Sequence, residues 1–98
     1  MTDLKAKNKE LARHSVIAFT DSAWEGYLYW QEKDPKLAEK INELIDACLG
    51  SPTTGIGKPE PLKGNLTGLW SRRINREQRL VYLFEAGTLY IVSCRYHY

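Results

Sequence analysis

The sequence predicts one small α+β domain in which a short strand, two helices and an antiparallel meander follow one another along the chain. Three observations predict it. The 98 residues suit a single domain with a modest core. Apolar residues recur at helical spacing only between positions 22 and 50. Three runs rich in β-branched and aromatic residues, joined by tight turns, occupy positions 69–97.

The elements follow in order. Residues 1–14, MTDLKAKNKELARH, are polar and basic and read as an extension, helical or disordered, ahead of a domain at 15–98. His14 falls there and has no evident role. Val16–Thr20 is a β-branched and aromatic run, hence a strand, and Asp21-Ser22 offers a helix N-cap. Trp24, Tyr27, Leu28 and Gln31 follow at helical spacing, with Trp30 as a second apolar edge, so these aromatics are expected in the core or an interface. Gly26 weakens this helix by about 1 kcal/mol relative to alanine. In DPKLAEKINELIDACLG, Asp34 caps, Pro35 takes the first helical position, and Leu37, Ile41, Leu44, Ile45 and Cys48 form one stripe. Gly50 fits its stop.

The stretch SPTTGIGKPEPLKGNLTG is a long loop with room for one short edge strand. The X-Pro steps Lys58-Pro59 and Glu60-Pro61 hold Glu60 on stiff, extended backbone. Strands are then expected at Leu69–Ile74, Gln78–Phe84 and Thr88–His97. The middle one is apolar on both faces and so central. In the last, Leu89, Ile91 and Ser93 share parity with Arg95 and His97.

Composition narrows the class of protein. The chain is 43% hydrophobic and 27% charged, ordinary for a folded soluble domain. No apolar run reaches membrane-spanning length and no signal-peptide core is seen, so a cytoplasmic chain without membrane contact is expected. Cys48 and Cys94 lack CxxC spacing and read as two buried thiols, with no metal-ligand pattern and no cofactor motif. Residues 15–57 sum to −4 and residues 58–98 to +4, which suggests one local surface for an anion.

The chemistry-bearing residues sit at element ends or in the stiff loop: Glu60, Lys63, Arg72, Arg73, Arg79, Arg95, Tyr96, His97 and Tyr98. Arg73 and Arg79 flank one tight turn, and an even pairing register projects both from one face. Antiparallel connection returns the end of the last strand, with His97, toward Arg79. One carboxylate, one imidazole and several guanidiniums suit RNA phosphodiester cleavage. The 2′-hydroxyl needs a base, the 5′-oxygen an acid and the phosphorane fixed positive charge. A terminal carboxylate on Tyr98 favours the imidazolium form of His97 and so an acid role, while the neighbouring arginines oppose that shift. Tyrosines can stack on unpaired bases.

The motifs GKPEPLKGNLTGLWSRRINREQRLVY, YLYWQEKD, KINELI and the closing CRYHY together resemble the YoeB-type toxins of bacterial toxin–antitoxin systems, within the RelE/ParE-like superfamily. The resemblance runs from about Ser15 to Tyr98. It implies a RelE-like fold: an N-terminal strand and two helices packed on a mostly antiparallel sheet of four to five strands. It implies a metal-independent endoribonuclease that cuts mRNA in the ribosomal A site and is held inactive by a YefM-type antitoxin. It allows a homodimer. Carried over by position, Glu60 is the general base, His97 the general acid, Arg73 and Arg79 the transition-state cations and Lys63 a phosphate or charge-stabilising contact. Lys58, Arg72, Tyr96 and Tyr98 are then expected to contact RNA. Gln78 stands where many members carry a histidine. Two competing readings are a ParE-like inhibitor of DNA gyrase without catalysis and a ribosome- or RNA-binding module that cuts nothing.

Overall fold

The computed structural model describes residues 16–95. The extension at 1–14 and the expected site residues Tyr96, His97 and Tyr98 lie outside the described residues.

Strand β1 (Val16–Phe19) runs straight into helix α1 (Asp21–Lys33). The cap lies one residue earlier than expected. Thr20 holds extended backbone and its hydroxyl oxygen accepts from the Ala23 amide at 3.0 Å, while Asp21 sits in the first turn, where its charge suits the helix dipole. Helix α2 (Pro35–Gly50) starts as expected, with the Asp34 carboxylate accepting from the Leu37 amide at 3.2 Å and Pro35 at the first position. It ends at Gly50, but Ser51, in extended backbone, is the C-cap and donates its N–H to the Ala47 carbonyl.

The buried stripe of α1 differs from the expected one. Ala23 and Gly26 are buried, Tyr27 and Trp30 pack beside them, and Trp24 and Leu28 are 47% and 48% exposed. Small residues win the inward face because the helix lies close to the end of the sheet. A Cβ on Gly26 would stand 3.1 Å from the Arg95 Cβ and 3.3 Å from the Cys94 Sγ.

The remaining strands are β2 (Glu60–Pro61), β3 (Trp70–Arg73), β4 (Arg79–Glu85) and β5 (Thr88–Ser93), with a short 3-10 turn at Gly64–Leu66. They form one five-stranded sheet in the order β1-β5-β4-β3-β2, parallel between β1 and β5 and antiparallel elsewhere. The two-residue β2 is the edge strand the loop had room for, which is where a proline such as Pro61 is tolerated. β4 is central, as its two apolar faces require.

Both helices cover one face of the sheet. Leu37, Ile41, Leu44, Ile45 and Cys48 of α2 meet Leu80, Tyr82, Leu89, Ile91 and Cys94 in one core. At roughly 1.5–3 kcal/mol for each large apolar side chain, this stripe is what keeps α2 on the sheet. Both cysteines are buried and free, and the Cys94 thiol donates to the Ala23 carbonyl at 3.4 Å.

β5 departs from simple alternation. Tyr82 pairs with Ile91 but Val81 pairs with Ser93, so Val92 is the extra residue of a bulge. Its carbonyl accepts from the Thr20 hydroxyl at 2.8 Å. The bulge swaps parity: Ile91 faces the helices, Ser93 faces away, and Cys94 returns to the core. The shared parity expected for Leu89, Ile91 and Ser93 therefore holds only as far as Ile91.

Candidate active site

The face of the sheet turned from the helices carries the candidate site. Directly opposed residues in a ladder share a face. Glu60 opposes Ser71, Ser71 opposes Val81 and Val81 opposes Ser93, which makes one transverse row. Arg73 opposes Arg79, two residues further along the same face. The even register is thus realised: Arg73 stands diagonal to Glu60 across the β2–β3 ladder, and Arg79 lies one strand further on, on the same face.

Each of these residues is held for a local reason. Glu60 is exposed on β2, and the ladder continues past Pro61 through the Leu62 amide, which donates to the Leu69 carbonyl at 2.9 Å. The turn between β3 and β4 is closed by Asn75, whose Oδ1 accepts from the amides of Glu77 at 2.9 Å and Gln78 at 2.7 Å. Arg79 leans over that turn. Its Nη1 donates to the carbonyls of Asn75, Gln78 and Arg76 at 3.0, 3.2 and 3.3 Å, and among the described residues its Nε and Nη2 make no hydrogen bond. Arg73 is exposed, and its backbone N–H donates to the Gly57 carbonyl at 2.6 Å. Lys63 is exposed three residues after Glu60, and Lys58 is exposed two before it, with φ at 49° in the left-handed region.

Arg72 does not belong to this surface, which corrects the expectation that it contacts RNA. It is 0% exposed and faces the helices with Leu80, its partner across the ladder. Its guanidinium is consumed internally: Nε donates to the Tyr82 hydroxyl at 3.2 Å, Nη1 to the Ile56 carbonyl at 2.8 Å and Nη2 to the carbonyls of Ser51 and Thr54. Tyr82 in turn donates to the Pro52 carbonyl at 2.6 Å. Together the two side chains fasten the loop that leads to Glu60. One signal was present in the sequence, because Arg72 shares parity with Trp70 and Ile74, both of which pack inward.

The end of β5 is fastened too. The Trp30 indole N–H donates to the Cys94 carbonyl at 2.9 Å, and the Arg95 guanidinium lies 3.5 Å from the centre of the Tyr29 ring. Arg95 therefore turns to α1 and away from the Glu60 face. Among the described residues no group of three or more His, Cys, Asp or Glu side chains could hold a metal ion.

Two concave regions flank these elements. One, of about 390 Å³, is lined by Lys40, Gly57, Lys58, Arg73, Ile74, Asn75 and Arg76. Its contributions from Lys40 and Arg76 were missed in the sequence, since nothing in spacing joins a mid-helix lysine to a distant turn. The other, of about 450 Å³, is mostly apolar, lined by Ile17, Phe19, Trp24, Tyr27 and Ile45 with Asn42 and Asp46.

Two helices on one face of a five-stranded mixed sheet give the chain the RelE-like fold, shared with a YoeB/ParE toxin from Agrobacterium tumefaciens at a TM-score of 0.81 and 45% identity, covering 85% of this chain and 99% of that one. The family described as YoeB-like toxin of bacterial type II toxin-antitoxin system matches residues 19–98. A Synechocystis Toxin YoeB is 57% identical over 82 residues, 84% of this chain and 95% of that protein. A YoeB dimer from Staphylococcus aureus superposes with a TM-score of 0.81 at 49% identity, covering 87% of this chain and 99% of that one. A heterotetrameric YoeB-YefM toxin-antitoxin complex from the same organism gives 0.80 at 49% identity, covering 86% and 98%. The chain belongs to the YoeB family and is the toxin of a type II toxin–antitoxin system.

Proposed function

We propose that the chain is an endoribonuclease that cuts mRNA in the ribosomal A site and so stops translation. The observation that carries this reading is that Glu60 and the opposed Arg73–Arg79 pair share the sheet face turned from the helices. A base beside two cations is the minimum arrangement for activating a 2′-hydroxyl next to a phosphate. Glu60 takes the 2′-hydroxyl proton and the freed oxygen attacks the adjacent phosphorus. The bond to the 5′-oxygen breaks, and His97 protonates that oxygen. The products are a 2′,3′-cyclic phosphate and a 5′-hydroxyl. Arg73, Arg79 and Lys63 oppose the charge on the phosphorane, and Lys58, Tyr96 and Tyr98 contact the RNA.

A YefM-type antitoxin is the inhibitory partner in this reading, as in the Staphylococcus aureus complex. Its segment orders on binding and covers the basic corner. A homodimer fits as well. The mostly apolar concavity of Ile17, Phe19, Trp24 and Tyr27 is suited to a second copy, and one relative is a dimer.

Translation extract tests the chemistry. Added wild type should yield mRNA cleavage products, and Glu60→Gln or His97→Gln should abolish them. Intact mRNA together with blocked DNA supercoiling would overturn the nuclease in favour of a gyrase inhibitor.

A further inference from the structure

We propose that the depression beside Arg73 is a second phosphate subsite, which grips the backbone of the RNA substrate next to the bond being cut; this rests on the nuclease reading above. Four of its seven lining residues are cationic, Lys40, Lys58, Arg73 and Arg76, and none is acidic. They come from three separate parts of the chain: the middle of α2, the loop before β2, and the end of β3 with its turn. Gathering like charges in one concavity works against folding and focuses a positive field there, which an incoming polyanion relieves.

The walls are built rather than loose. The Arg73 amide holds the Gly57 carbonyl at 2.6 Å. Gly57 has φ at +82°, and a Cβ there would come within 2.8 Å of Leu44 Cδ2 and 3.0 Å of Arg72 Cβ, so only glycine lets the loop lie this close. Lys58 is held at positive φ, a conformation L-residues disfavour and which tends to be kept where a side chain must be aimed. The far wall is set by the Asn75-closed turn.

Continuity with the Glu60 face identifies the occupant. Arg73 belongs to both surfaces, and Lys58 precedes Glu60 by only two residues. A strand whose scissile phosphate lies between Glu60 and the arginine pair therefore runs on into the depression. The lining offers cations and one amide but no aromatic ring, so it takes sugar-phosphate backbone and leaves the base unread.

The test is binding of the whole chain to a short, fully 2′-O-methylated single-stranded RNA, which cannot be cut, measured across a salt series. Lys40→Gln and Arg76→Gln should each lower the slope of log affinity against log salt by about 0.7, and the double variant by about 1.4. Lys40→Arg should keep the wild-type slope. Unchanged slope and affinity in the double variant would overturn the subsite. So would a Lys40→Arg protein that loses the slope, or a defect confined to ribosomes lacking mRNA, which would assign the surface to ribosomal RNA. Slopes that fall as expected while wild type leaves mRNA intact in translation extract would sink the nuclease reading and keep the subsite.

Discussion

Arg72 and Arg73 are neighbours in the motif SRR with opposite fates. Arg73 is exposed on the candidate site, while Arg72 is buried, with no carboxylate beside it among the described residues. Carbonyl dipoles from Ser51, Thr54 and Ile56 and the Tyr82 oxygen meet its charge. This works because a planar guanidinium sends donors in several fixed directions at once. A lysine ammonium cannot reach all of those oxygens. Arg72→Lys should therefore cost about 2–4 kcal/mol, since several acceptors lose their donor. The exposed Arg73→Lys should stay within about 0.5 kcal/mol of wild type. Urea unfolding of the two variants compares them directly, and equal midpoints would refute the clamp. Read as a charged pair, the two arginines look alike. Strand parity separates them, but which face is covered depends on where the helices land.

At the scale of elements, the expected order of strand, helix, helix and meander holds because each piece carries its own local signal: the Asp34-Pro35 start, the apolar stripe of α2 and the short turns. What local signals do not contain is the fit between elements. The bulge at Val92 is stabilised by Thr20, 72 residues away, and no alternation pattern announces it. Gly26 is the clearer case. As an isolated helical residue it only weakens α1, yet against β5 it is what permits close approach. The Arg95 Cβ that an alanine methyl would meet at 3.1 Å is fixed to backbone, and the Trp30–Cys94 hydrogen bond holds that backbone in place. Gly26→Ala gains about 1 kcal/mol of helix propensity but overpacks the contact, which costs roughly 1–3 kcal/mol. The variant should be the less stable protein by denaturant unfolding. A more stable Gly26→Ala would show that the contact yields easily.

For the molecule as a whole, one core ties the helices to the sheet, and it encloses three titratable groups that must stay neutral. Burial pushes the Tyr82 hydroxyl up to about 12 and the Cys94 thiol up to about 11, and it raises the Cys48 thiol as well. Each folded value lies above the ordinary one, 10.0 for tyrosine and 9.0 for cysteine, so the folded state holds these protons more tightly than the unfolded state. Their contribution is complete below pH 9. It shrinks as the unfolded chain begins to release protons and is gone once pH passes the folded values near 11 and 12. For Tyr82 and Cys94 a shift of this size is on the order of 2–3 kcal/mol each, against about 5–15 kcal/mol for a whole domain. Alkali alone should therefore bring the protein close to unfolding. Urea midpoints taken from neutral pH upward should stay level to about pH 9 and then fall. Cys94→Ala should flatten the first part of that fall, whatever its effect on the neutral midpoint, because it removes one of the protons at issue. A midpoint level through pH 11, or a Cys94 thiolate absorbance rising at the ordinary pH for a thiol, would mean that the core admits water where Cys94 meets α1.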